Sequence, residues 1–205
     1  MTNLETIKEI KKWKDNYNLY YLQDKKNIDT SIKAKRDKAL NNLLYACDAL
    51  IRDALKSEID IIDKELIFRP GLAKRSKTEL IILHHTACET ATILDVHSWH
   101  LQKGWNGCGY HFFINKKGEI FRGRPIEMIG AHCEGSNAYS IGICNEGNYE
   151  IEIGLLKEQT KANVKLIKYL KSIPEYSHVK VVGHKDKYAT KCPGKYFPLN
   201  LLEHI

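Results

Sequence analysis

Before Pro70-Gly71 the sequence has neither a glycine nor a proline, although the whole chain of 205 residues holds 13 and 5 of them. With no such breaker, helices can run uninterrupted through that stretch. No run of eighteen apolar residues occurs. The longest runs, such as Leu80-Ile81-Ile82-Leu83, are of strand length, which excludes a bilayer-spanning helix. The opening residues, MTNLETIKEIKKWK, are charged throughout and lack the apolar stretch of a secretory signal. Synthesis in a cytoplasm is therefore expected, and any action outside the cell depends on release by another agent. The six cysteines, at 47, 88, 108, 133, 144 and 192, form no CxxC pair and are too sparse for a disulfide scaffold, so free thiols are the default. No HExxH is present, which removes the common zinc-peptidase reading. No C2H2 spacing, helix-turn-helix or RNA-binding signature is present either, and a nucleic-acid partner is not expected.

What is present is ordinary globular material: 43% hydrophobic and 28% charged residues. The net charge of +7 is unevenly spread, with 17 Lys+Arg against 12 Asp+Glu in residues 1–77 and 15 against 13 in the remainder. The basic excess thus belongs mainly to the N-terminal third. There it is either a solvated helix surface or a surface suited to an anionic partner such as nucleic acid, a membrane or a wall polymer.

The two parts of the chain carry different periodicities. Leu40, Leu43, Leu44, Cys47, Leu50, Ile51, Ala54 and Leu55 recur at helical spacing, and a shorter stripe runs through Leu4, Ile7 and Ile10. Residues 1–75 are expected to form a small helical region that buries its apolar stripe on the second domain, on itself or on a partner chain, closed by Pro70-Gly71 and the basic run Lys74 to Lys77. Residues 76–205 alternate strand-like and helical segments, which predicts an α/β fold with a central mixed β-sheet flanked by helices. Strands are expected at 79–84, 110–115, 119–122, 128–131, 140–144 and 179–182, with a hairpin turn at Lys116-Lys117-Gly118. Helices are expected at 92–103, with Thr92 as N-cap and Gly104 as stop, and at 155–170.

Three expected strand ends and the loops after them carry metal-capable side chains: His84-His85, His184, and Cys192 eight residues further on. Two imidazoles and a thiolate suit Zn²⁺ and leave a fourth position for water, the pattern of a catalytic site.

The segments LIILHHTA (80–87), WHLQKGWNGCGYHFFI (99–114), GAH (130–132), SIGI (140–143) and VGHKD…TKCPG (182–194) follow one another in this order. Together they resemble the zinc-dependent N-acetylmuramoyl-L-alanine amidases of the phage-lysozyme and peptidoglycan-recognition-protein type, over about residues 78–200. The resemblance implies His84, rather than His85, with His184 and Cys192 as zinc ligands. It implies Tyr110 and Thr190 as catalytic residues beside the metal, and His85, Trp105, His111, His132 and Asn137 along the substrate groove. For His111 and His132 the residues equally allow a role in orienting a ligand. Some relatives carry a glutamate directly after SIGI that acts as general base. This chain has Cys144 there, and Glu146 two residues on. The implied substrate is bacterial peptidoglycan, cut between N-acetylmuramic acid and L-alanine. The implied setting is a phage or prophage endolysin made in the host cytoplasm. A non-catalytic recognition module of the same fold is the alternative, disfavoured because the ligand cysteine is retained.

Overall fold

The structure is a computed structural model that describes residues 59–205. The helical stripes expected before residue 59 lie outside the described residues. One compact unit spans Ile59–Ile205, and its first residues contribute to the sheet. They enter it through main-chain pairing. Strand β1 (Ile61–Ile62) lies parallel to β4 (Ile120–Arg122), and Arg69 N donates to Asn106 O at 2.9 Å.

The sheet has the order β1-β4-β3-β5-β2-β6, with β2 at Leu80–His85, β3 at Phe112–Ile114, β5 at Ser140–Asn145 and β6 at Lys180–Gly183. All neighbours run parallel except the β3–β4 hairpin. That hairpin turns at Gly118, whose φ of +81° is reached by few residues with a side chain, and where an added Cβ would sit 2.6 Å from Glu158 O. Strand β2 lies between two parallel partners and is buried along its whole length, which explains its continuous LIIL run.

A helix covers each face. On one, α2 (Lys157–Ser172) buries Gln159, Ala162, Asn163, Leu166, Ile167 and Leu170, a stripe at three- and four-residue spacing. It packs on Ile81, Leu83, Ile141 and Ile143. Each fully buried leucine or isoleucine there contributes about 1.5–3 kcal/mol. On the other, α1 (Ile93–Gln102) begins at a capping box: Thr92 Oγ1 accepts from Asp95 N at 3.2 Å and Asp95 Oδ2 accepts from Thr92 N at 2.8 Å. Its Ile93 and Val96 pack on Phe113, Cys108 and Cys144. A one-turn helix, α3 (Leu199–Leu202), closes the chain.

The strand expected at 128–131 does not form; only Met128 makes an isolated bridge, to Lys74. The carbonyls of this segment serve two arginines instead. Arg75 donates to Ile126 O at 2.7 Å and Met128 O at 3.0 Å, and Arg124 donates to Ile129 O at 2.8 Å. Among the described residues Cys88, Cys108, Cys133, Cys144 and Cys192 are all free thiols, and no helix is long and apolar enough to cross a membrane.

Candidate metal centre

Strand periodicity decides which of two adjacent histidines faces the site. Successive side chains of β2 point to opposite faces. His85 shares its face with Ile81 and Leu83; it stacks on Tyr149, with ring centroids 6.1 Å apart, and its Nδ1 accepts from Tyr149 N at 3.2 Å. His84 shares the α1 face with Leu80 and Ile82 and is fully buried there. Strand β6, on the far side of β2, ends at Gly183, so His184 emerges next to the end of β2, its ring centroid 4.4 Å from that of His84.

The loop after His184 folds back to deliver the third group. Lys185 N donates to Cys192 O at 2.8 Å and Cys192 N donates to Thr190 Oγ1 at 3.2 Å. Tyr188 stacks on His184 at 5.7 Å and donates from its hydroxyl to Glu134 Oε2 at 3.3 Å, tying the loop to the 132–136 segment. Tyr188 was not among the site residues read from sequence; its position four residues after His184, one turn onward, was the available signal.

One ligand atom each from His84, His184 and Cys192 can be chosen so that all lie within 4.8 Å of one another. Cys192 Sγ is 3.7 Å from His84 Nδ1. A tetrahedral zinc with bonds of roughly 2.1–2.3 Å holds its ligand atoms about 3.6 Å apart. His184 Nε2 is buried without any hydrogen-bond partner, the mark of a lone pair kept for a ligand. Cys192 Sγ accepts from His85 N at 3.5 Å, a contact that favours thiolate. Burial pushes the Cys192 thiol up to about 12 and holds His84 well below the usual histidine range, with His132 and His184 lowering it further. The site is thus built for neutral imidazoles and for a thiol that ionises when a cation arrives. The donor set and spacing fit Zn²⁺.

Tyr110 overlooks the cluster, its ring centroid 5.0 Å from that of His84. Burial, then the neighbouring thiols of Cys144 and Cys192, raise its hydroxyl well above the usual tyrosine range. Cys144 pairs with His84 across β2 and β5 and is fully buried. It is not one of the three clustered donors. Residues 74–195 match the family described as N-acetylmuramoyl-L-alanine amidase. The chain belongs to this amidase family.

Known relatives agree with that membership. An endolysin of Klebsiella phage KP32 is 29% identical over 127 residues, spanning 58% of this chain and 83% of the phage protein. Peptidoglycan-recognition protein SC1a of Drosophila melanogaster is 34% identical over 125 residues, spanning 56% of this chain and 67% of the fly protein. Among solved structures, the endolysin N-acetylmuramoyl-L-alanine amidase LysCS from Clostridium intestinale URNW superposes with a TM-score of 0.66 at 34% identity, covering 71% of this chain and 93% of that one. The chain is a peptidoglycan amidase.

The residues expected along the amidase groove separate. Trp105 is exposed and lines a cleft of about 350 Å³ with Gly71, Arg124 and Ala131. A larger cavity of about 610 Å³, beneath the β3–β4 hairpin, contains none of the metal-capable trio. His111 is fully buried: its Nδ1 accepts from Gly142 N at 2.9 Å and its Nε2 lies 2.9 Å from Met128 O. Asn137 Oδ1 accepts from the backbone N–H of His132 at 2.8 Å and of Cys133 at 2.9 Å. The buried His132 contacts His84. Glu146 is committed to main chain, accepting from Ala91 N at 3.2 Å and Lys116 N at 2.8 Å.

Proposed function

We propose that this amidase is zinc-dependent, with His84 Nδ1, His184 Nε2 and Cys192 Sγ holding the ion. The orphaned, buried His184 Nε2 beside the Cys192 thiol carries this reading. When bound, such an ion polarises the scissile carbonyl and lowers the pKa of its water to about 7.

The protein's own groups do the rest. Tyr110, kept protonated by burial, donates a hydrogen bond to the oxygen that gains charge as the amide is attacked. The Thr190 hydroxyl oxygen accepts from Cys192 N, which leaves its proton free to donate toward the same place. Donors of this kind are each worth roughly 3 kcal/mol of barrier. Cys144 stands at the position of the glutamate of some relatives, and Glu146 is engaged by backbone, so neither is assigned as general base. The bond cut is the amide between N-acetylmuramic acid and L-alanine. The biological role is that of an endolysin, made in a host cytoplasm and reaching the wall after release.

A recognition module that binds without cutting is the second reading, raised by the fly relative. The complete set of three donors argues against it. Digestion of purified peptidoglycan separates the two. The amidase releases stem peptides with new L-alanine amino termini, chelator abolishes this, and added Zn²⁺ restores it. A protein that sediments with the wall yet releases nothing under any metal condition is the recognition module.

A further inference from the structure

We infer that His132 is a positioning residue that fixes which nitrogen of His84 carries a proton. The inference rests on the metal-centre reading above. It follows from a chain of four buried groups whose hydrogens can be assigned one at a time, starting from a main-chain carbonyl.

Ser140 is fully buried, so its hydroxyl proton has no water to go to. Its Oγ donates to Ser136 O at 2.7 Å. Only a lone pair of that oxygen is then left for His132 Nε2, 3.4 Å away, and Nε2 must carry the hydrogen. A neutral imidazole has one N–H, which makes His132 Nδ1 an acceptor. That nitrogen lies 3.0 Å from His84 Nε2, so His84 Nε2 is the donor and His84 Nδ1 keeps its lone pair. Nδ1 is the atom that stands 3.7 Å from Cys192 Sγ. The direction of one serine hydroxyl thus propagates through two rings to the open edge of the metal centre.

The fold also reserves the space for this ring. A Cβ on Gly142 would fall 2.7 Å from His132 Cδ2, and one on Gly130 would fall 2.4 Å from the same atom. His111 packs edge-on against it at 5.6 Å, and Asn137 Oδ1 holds its main-chain N–H at 2.8 Å. Gly130, His132, Ser140 and Gly142, which looked in the sequence like scattered members of two motifs, form one cradle. A ligand histidine oriented by such an outer partner binds its metal about 10–100-fold more tightly than one without it.

Two variants of nearly equal size separate hydrogen bonding from packing. In His132→Asn the side-chain oxygen falls near the position of Nδ1 and still accepts from His84. In His132→Leu nothing accepts. We expect zinc dissociation constants, measured by chelator competition, to rise about 10–100-fold for His132→Leu and to stay within about three-fold of wild type for His132→Asn. Equal affinities in the two variants, or a weaker Asn variant, overturn the inference. Because His132→Leu also risks misfolding, the wild-type metal-free protein supplies a second test. Long-range ¹H–¹⁵N spectra of its imidazoles must show His84 and His132 both as Nε2–H tautomers, and an Nδ1–H form of either ring overturns the inference. A wild-type protein that fails to bind zinc while showing both Nε2–H forms would count against the metal reading and leave the relay standing.

Discussion

His84 and His85 leave β2 on opposite faces of the sheet, His84 toward Cys192 Sγ at 3.7 Å and His85 toward the ring of Tyr149. The two adjacent histidines therefore have different work. His84→Ala should abolish high-affinity zinc binding. His85→Ala should keep zinc within a few-fold of wild type and lose about 1–3 kcal/mol of stability, since Tyr149 N–H loses its acceptor in a buried setting. Zinc titration and thermal unfolding of both variants check this. Loss of zinc from His85→Ala alone would reverse the assignment.

Tyr110 is assigned to the reacting oxygen rather than to the metal. Tyr110→Phe should lower kcat about 100-fold, the scale of one oxyanion donor, while zinc content stays at wild-type level. Full turnover by the phenylalanine variant on purified peptidoglycan removes the assignment.

Glu146 is the nearest carboxylate to the position where some relatives carry a base, and it accepts from two backbone N–H groups instead. Glu146→Gln should lower stability by about 1–3 kcal/mol through the weakened hold on Ala91 and Lys116. Its turnover below the unfolding transition should remain within about three-fold of wild type. A hundred-fold loss of kcat with an unchanged melting temperature would make Glu146 the general base.

Several buried histidines make the fold sensitive to acid. Burial pushes His100 to about 4 and His111 to about 3, whereas in the unfolded chain both titrate near 6.5. Folded rings stay neutral while unfolded ones take up protons, so the unfolded state gains as pH falls below about 6.5. Stability is fully present above that value and is lost between about 6.5 and 4 for His100 and between about 6.5 and 3 for His111, at about 1.4 kcal/mol per pH unit for each group. Thermal unfolding in excess chelator should show this slope. In His100→Asn, which keeps an acceptor for Gly109 N–H, the slope should be smaller by about one proton. An unchanged slope contradicts the prediction.

The continuous apolar run of β2, the capping box at Thr92, the glycine turn at 118 and the stripe of α2 were all legible, because each is written in local residue order. The pairing of His84, His184 and Cys192, which lie together in the structure, was suggested in the sequence by the order of the motifs. Cys192 and His84 are 108 residues apart, and it takes the β2–β6 register together with the loop that returns Cys192 to Lys185 N to bring them side by side. The segment at 128–131 misled because its apolar residues look like a strand, while its carbonyls are taken by Arg75 and Arg124 from elsewhere in the chain. His132 and His111 carried histidine chemistry in the sequence but no sign of burial. That property emerged only when Gly130 and Gly142 were seen to make room for the His132 ring.

The central claim is that amide cleavage here depends on one zinc ion held by His84, His184 and Cys192. Its most direct test is titration of the metal-stripped protein with Zn²⁺ while following release of L-alanine amino termini from peptidoglycan. Activity should rise from zero and saturate at one zinc per chain, and Cys192→Ala should remain inactive across the range. Full activity of the stripped protein in excess chelator, or of the Cys192→Ala variant, would contradict the account.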